Sequence, residues 1–262
     1  MWVNRNLLTI LMGICLVTSC GLDNLNDPIL VTDVEDEFYI EMWEALSPSQ
    51  RTLYLQIRTI QNDTCLNTTI NTTFLKLGNE LALEVNGINQ PEDCLEGLAP
   101  AKGEEVVGAL HEGSYNLEIN LQNTVFNAGQ LETNQNRYFL EMDTENGINI
   151  PSSVLLRVPD HSFWGYIDYG PNELDALAFI ESLEQLATRP NLSIGYYGYY
   201  TVKNDPNDWI EITNQPNSNR LASFLLTYED ENEATIKDLI EDFRSANPSL
   251  NVNVKNYQGL NW

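Results

Sequence analysis

Apolar and polar residues alternate in short runs from Arg51 to Pro159. Leu53, Leu55 and Ile57 mark the first run, and others recur at 73–77, 80–85, 115–121, 137–142 and 148–158. A period of two sends one set of side chains to one sheet face, so these runs read as half-buried strands. Asn86-Gly87 and Asn146-Gly147 fall between runs, and both dipeptides accept the positive φ of a tight hairpin. Several short strands with turns between them predict an all-β sandwich over residues 48–159. Upstream, Phe38, Met42, Trp43 and Leu46 are spaced as on one side of a helix. A short helix is therefore expected within 34–47, its acidic start facing the positive helix end.

The period changes at Val158-Pro159-Asp160. A strand is expected at 163–169. A helix follows at 173–187, where Leu174, Leu177, Ile180, Leu183 and Leu186 form a stripe. Further strands are expected at 192–203 and 221–228, separated by a turn-rich segment at 204–219. Asn232 opens a second helix, with Ile236, Leu239, Ile240 and Phe243 at positions i, i+3, i+4 and i+7. The last strand is expected at 250–257. The order βαββαβ predicts a ferredoxin-like domain over 160–262, helices on one sheet face and the other face open. The chain as a whole is expected to be α+β, a sandwich domain followed by a ferredoxin-like one.

Alternation assigns the faces of the second domain. Leu250, Val252 and Val254 must meet the helices, which turns Asn253, Lys255 and Tyr257 outward. The open face then carries Trp164, Tyr166, Tyr197, Tyr199 and Tyr257, floored by Ser223, Leu225 and Thr227. An aromatic groove of this kind suits a glycan or an extended peptide. The same face would equally serve as an interface, covered by the sandwich domain or by a partner in an envelope assembly.

The first residues change where such a chain would work. Arg5 precedes the apolar run 7–17, and Val17-Thr18-Ser19-Cys20 follows it. The run is shorter than the about 20 residues that span a bilayer and suits a signal-peptide core. Together these residues resemble the lipobox signal of bacterial lipoproteins. The resemblance implies removal of residues 1–19, a diacylglycerol on Cys20, and a lipid-anchored tether over 20–47 that contains the short helix. Gly21 stands where an Asp would favour the inner membrane, so the cell envelope is the expected location, the outer membrane ahead of the inner. Residues 112–119 (EGSYNLEI) resemble the GxYxLxI strand of bacterial immunoglobulin-like and prealbumin-like modules, which implies a β-sandwich and nothing finer.

Of four cysteines, Cys15 leaves with the signal and Cys20 takes lipid. Cys65 and Cys94 remain, an even pair for an oxidising compartment, and read as a disulfide. A zinc pair is the rival and lacks two further ligands at suitable spacing. With 13 basic and 38 acidic residues the net charge is −25, which excludes nucleic acid as a partner and a basic patch on anionic lipid.

Chemistry is sparse. His111 and His161 each precede an expected strand, with no partner at ligand spacing. HExxH, GxSxG, the phosphate loop and GxGxxG do not occur, so no catalytic residue is named. A hydrolase built on a carboxylate stands third, with Asp168, beside Trp164 and Tyr166, as its candidate. Asp205, Asn207, Asp208 and Glu211 gather four oxygen donors in one loop and form a calcium candidate, as do Asp143, Glu145 and Asn146. Neither follows the EF-hand pattern. No other cofactor is indicated. The function expected is that of an envelope binding module, with a structural or accessory subunit as the alternative.

Overall fold

Burial alternates along β1 (Phe38–Leu46), with Phe38, Ile40, Met42 and Glu44 turned inward. This strand replaces the helix expected within 34–47. A spacing of four is even, so Phe38, Met42 and Leu46 satisfy a period of two as well as they satisfy a helix. Inward Glu44 disguises the strand period. The structure, a computed structural model, describes residues 35, 37–206 and 208–262. The expected signal peptide, the Cys20 expected to carry lipid and most of the expected tether lie outside the described residues. The described chain forms one unit, Glu35–Trp262.

The chain is mostly β, as its alternation predicts. After β1 come β2 (Arg51–Cys65), β3 (Thr69–Leu77), β4 (Glu80–Asn89), β5 (Glu96–Gly108), β6 (Gly113–Leu121), β7 (Val125–Thr133), β8 (Arg137–Met142), β9 (Ile148–Asn149) and β10 (Val154–Leu156). They form a single ten-stranded ladder in the order β10-β8-β7-β6-β4-β3-β5-β2-β1-β9. The short β9 caps one edge and the short β10 the other, so the chain between them joins the two edges of a curled sheet. Phe38, Leu53, Leu55, Ile57, Leu83, Ile119, Leu131 and Leu140 fill the curl.

Polar pairs close it. The Tyr138 hydroxyl of β8 donates to Glu44 of β1 at 2.8 Å, and Arg157, just past β10, pairs with the same carboxylate at 3.0 Å. Arg51 completes the cluster at 3.8 Å. Cys65 and Cys94 are disulfide-bonded, with Cα atoms 5.3 Å apart. The bond ties the base of the β3–β4 hairpin, which lies between the two cysteines.

A second sheet has the order β12-β16-β11-β17. Its strands are β11 (Ser162–Asp168), β12 (Ala187–Thr188), β16 (Leu221–Tyr228) and β17 (Asn251–Asn256), with helices α1 (Glu173–Glu184) and α2 (Glu233–Ala246) between them in sequence. The helices cover Phe163, Ile167, Phe224, Leu226 and Val254. Phe179 of α1 stacks on Phe243 of α2 with centroids 4.0 Å apart.

Two details differ from expectation. The buried face of α1 is Ala176, Phe179 and Leu183, with Ile180 and Leu186 packed at its margin; of the expected stripe Leu174 and Leu177 point to solvent. Asn232 stands at the start of α2, yet its side chain donates to the Leu186 carbonyl at 2.9 Å and not into the helix.

The third difference matters most. The segment 192–203 does not enter this sheet; the two-residue β12 takes its place beside β16. Instead the segment supplies β13 (Gly195–Tyr196) and β14 (Tyr200–Val202), which join β15 (Ile210–Ile212) in a separate three-stranded sheet. Gly198 turns the β13–β14 hairpin with φ +83°, a backbone region that favours glycine. A turn in mid-run breaks the alternation across Leu192–Val202. Tyr197, Tyr200 and Val202 are buried, whereas Ile194 and Tyr196 are exposed.

Candidate functional site

The small sheet lies over the outward face of β11 and β16. Cross-strand register aligns Trp164 with Leu225 and Lys255, and Tyr166 with Ser223 and Asn253. These residues share the face that alternation assigns outward, but the face is covered. Trp164 is 2% exposed and Leu225 0%. Both pack with Tyr197, Tyr200, Val202, Ile210 and Ile212 in a third apolar core. Trp164 meets Tyr199 and Tyr200 with ring centroids 5.4 and 5.3 Å apart. The open aromatic face is thus corrected: Trp164 and Tyr197 are internal. The reason is the misplaced second strand, since removing 192–203 from the sheet frees it to fold back as a cover.

The hairpin of the cover also reaches the curled sheet. The side of Gly198 on which a Cβ would stand faces Trp43 and Leu155. The Tyr199 hydroxyl donates to the Glu44 carbonyl at 3.1 Å and accepts the Leu46 amide proton at 3.2 Å. Burial pushes the Tyr199 hydroxyl above its ordinary pKa, opposed by the Leu46 hydrogen bond and aided by the Glu44 charge. Burial likewise raises Tyr196 and Tyr197, and raises Tyr200 strongly.

Where the three sheets meet, a cleft of about 480 Å³ stays open and falls within the usual range for ligand sites. Its rings are Trp43, Trp164, Tyr166, Tyr196 and Tyr199; its polar side chains are Gln56, Thr213, Asn214, Asn253 and Lys255. Trp43 stacks obliquely on its cross-strand neighbour Tyr54, centroids 5.4 Å apart, and lies 6.2 Å from Tyr199. The Lys255 ammonium is 5.9 Å from the centre of the Tyr199 ring. Flat rings flanked by amide side chains can hold an apolar ring face while bonding polar groups at its edge.

Of the five aromatic residues expected at the groove, Trp164, Tyr166 and Tyr199 line the cleft, Trp164 at its buried back. Tyr197 lies inside the third core, its hydroxyl donating to the Ser193 carbonyl at 3.0 Å. Tyr257 lies away from the cleft and stacks on His161, centroids 5.3 Å apart. Trp43 and Tyr196 escape sequence reasoning. Trp43 is hidden by the helical assignment of 34–47, and Tyr196 by carrying one alternation through Gly198. The outward alternation Tyr39, Glu41, Trp43 is the signal that could have found the first.

The remaining candidates find ordinary partners. Lys203 bridges Asp208 at 3.0 Å and Glu211 at 2.9 Å, so an internal ammonium already neutralises two members of the calcium candidate. Asp205 accepts the Asp208 amide proton, and Asn207 lies outside the described residues. In the second loop the Asn146 backbone bonds the Asn127 side chain in both directions. No cluster of three metal-ligating side chains occurs among the described residues. His161 pairs with Asp230 at 2.8 Å, far in sequence from His111, whose carbonyl accepts the Tyr115 hydroxyl. Asp168 accepts a long 3.4 Å hydrogen bond from Ser218 and is not among the cleft residues. No described helix is long and apolar enough to cross a membrane.

Comparison with protein-family models, with curated proteins and with solved structures finds no match.

Proposed function

We propose that this chain is a lipid-anchored protein of the bacterial cell envelope, at the outer membrane, that binds a saccharide in the aromatic cleft. In this reading the first lobe is a sandwich-like module and the second a ferredoxin-like unit with β12 as its second strand. The three-stranded sheet is an insertion that shapes the site. The single observation that supports a saccharide is the company kept by the rings: Trp43, Tyr166, Tyr196 and Tyr199 stand beside Gln56, Asn214 and Asn253. A pyranose presents C–H groups on its faces and hydroxyls on its edge, which is the complement of that lining. The lipobox supports the anchor, and the Cys65–Cys94 bond suits an oxidising compartment.

Intrinsic tryptophan fluorescence and calorimetry with neutral and acidic oligosaccharides test the site. Binding is expected in the wild type and lost in Trp43→Ala with the fold retained. Oligosaccharides that bind neither wild type nor variant, with an extended peptide bound in their place, would replace the saccharide by a peptide. Intact mass tests the anchor: a chain starting at Cys20 with added acyl mass is expected, and a free Cys20 thiol would refute it.

A further inference from the structure

We infer that the saccharide taken by the cleft carries a carboxylate, as a hexuronic acid does, and that Lys255 receives it. The inference rests on the saccharide reading above and adds the charge of the ligand.

The chain carries 38 acidic residues and only 13 basic ones, so carboxylates are to be expected in the walls of its cavities. Four other cavities of similar size each have at least two carboxylates in their walls. Asp160, Glu184, Glu229 and Asp230 line one; Glu35, Glu37 and Asp63 line another. Glu41 and Glu104 line the third, together with Arg58 and Lys102, and Glu173 and Asp208 line the fourth. The aromatic cleft has none, and it has one lysine. Glu41, whose charge reaches Tyr196, is itself paired to Arg58 at 2.9 Å. Gln56 of the cleft donates to Glu104 at 2.9 Å, a carboxylate that does not itself line the cleft.

Lys255 is the one cation lining the aromatic cleft, and like Lys102, Arg137 and Arg189 it is not committed to an ion pair, whereas several other cations are. Arg51 and Arg157 serve Glu44, Lys203 serves Asp208 and Glu211, and Lys237 serves Glu233. Among the described residues Lys255 has no carboxylate within ion-pair distance. Its neighbour is the Tyr199 ring, on whose face a cation is favourably placed. The register of β17 against β11 sets Lys255 opposite Trp164 and Asn253 opposite Tyr166. One strand thus supplies the cation and an amide side by side, next to two rings. A sugar ring resting on Tyr166 and Tyr199, the half-buried rings beside that strand, would bring an anionic substituent at its edge near both Lys255 and Asn253. A half-buried ammonium with no internal counter-ion gains most from a ligand that brings one.

Calorimetry on the full chain in detergent tests the inference with two probes of identical ring structure: oligogalacturonate and its methyl ester. The acid is expected to bind about tenfold more tightly than the ester, a preference that shrinks as salt rises. Lys255→Met should erase the preference, and Lys255→Arg should keep it. Equal affinity for acid and ester in the wild type, or a preference that survives Lys255→Met, overturns the carboxylate inference and leaves the saccharide reading standing. Binding of neither probe overturns both. If Lys255→Met does not fold, the wild-type chain alone still separates the cases: a preference for the acid that salt erodes supports a carboxylate ligand, and equal affinity at all salt concentrations overturns it.

Discussion

The hydroxyl of Tyr199 donates to the backbone carbonyl of Glu44 at 3.1 Å, and through this bond the β13–β14 hairpin grips the first strand of the curled sheet. The same oxygen accepts the Leu46 amide proton. One side chain thereby satisfies polar groups on an edge that β9 leaves uncovered beyond Tyr39. Tyr199 also forms part of the cleft wall, so a contact that holds the fold and a contact offered to a ligand share one residue.

Those two roles separate by substitution. Tyr199→Phe removes both hydrogen bonds and keeps the ring, so stability should fall by about 1–2 kcal/mol with saccharide binding little changed. Trp164→Ala removes a fully buried ring and should lower stability by about 3–5 kcal/mol. Denaturant titration of both variants checks this. Trp164→Ala at wild-type stability would mean that the cover is not packed on the sheet.

Glu44 is the second point where the fold is held. It is 3% exposed and engages Tyr138, Arg51 and Arg157. Glu44→Ala leaves the part-buried Arg157 guanidinium without its carboxylate and the buried Tyr138 hydroxyl without its acceptor, while Arg51 keeps Asp160; a loss of about 3 kcal/mol is expected. Glu44→Gln keeps an acceptor for Tyr138 and should lose less. Chemical denaturation ranks the two, and equal losses would show that packing, not the charge, is what Glu44 contributes.

The second sheet shows how far alternation carries. The faces of β11, β16 and β17 follow from placing Val252 and Val254 against the helices, and Trp164, Leu225 and Lys255 do share one face. Alternation cannot say what lies over a face. Leu192–Val202 has the β propensity of a sheet strand, and only the positive φ of Gly198 makes it a hairpin belonging to another layer. Trp43 and Trp164 therefore meet the same cleft from different sheets, a pairing that no local period records.

In the curled sheet β5 and β7 are illegible for a different reason. β5 contains Gly97, Pro100 and Gly103, residues depleted in strands. The inward positions of β7 are Asn127, Gly129, Leu131 and Thr133, too polar to display a hydrophobic period. Asn127 is fully buried because the Asn146 backbone satisfies it, a partner visible only once the chain has folded. The cysteine pair is legible because two thiols left over once Cys15 and Cys20 are assigned to the expected signal have few other fates.

Reduction should expose that bond's contribution. The Cys65–Cys94 link has a sequence separation of 29, and closing such a loop stabilises by about 3–4 kcal/mol in the chain-entropy treatment. Reductant should lower the melting temperature and speed hydrogen exchange first in β3 and β4, the hairpin inside the loop. Uniform exchange before and after reduction would argue that the hairpin is held by its ladder alone.

Alkaline pH gives the last test, because the buried phenols titrate in one direction. Burial raises the hydroxyls of Tyr138, Tyr199 and Tyr200 above their ordinary value, with the Glu44 charge adding to the rise at Tyr138. An unfolded chain releases the same protons near pH 10. Between the unfolded and the folded values the native state holds more protons, so stability declines as pH rises through that window. These groups contribute nothing to the slope below about pH 9, where both states are fully protonated. Denaturant midpoints measured from neutral pH upward should hold level and then fall beyond about pH 10. Phenolate absorbance should show the exposed tyrosines ionising first and the buried set only as the fold is lost. Buried tyrosines that titrate reversibly with the exposed ones, in a chain still folded, would mean that the cover over Trp164 opens to water.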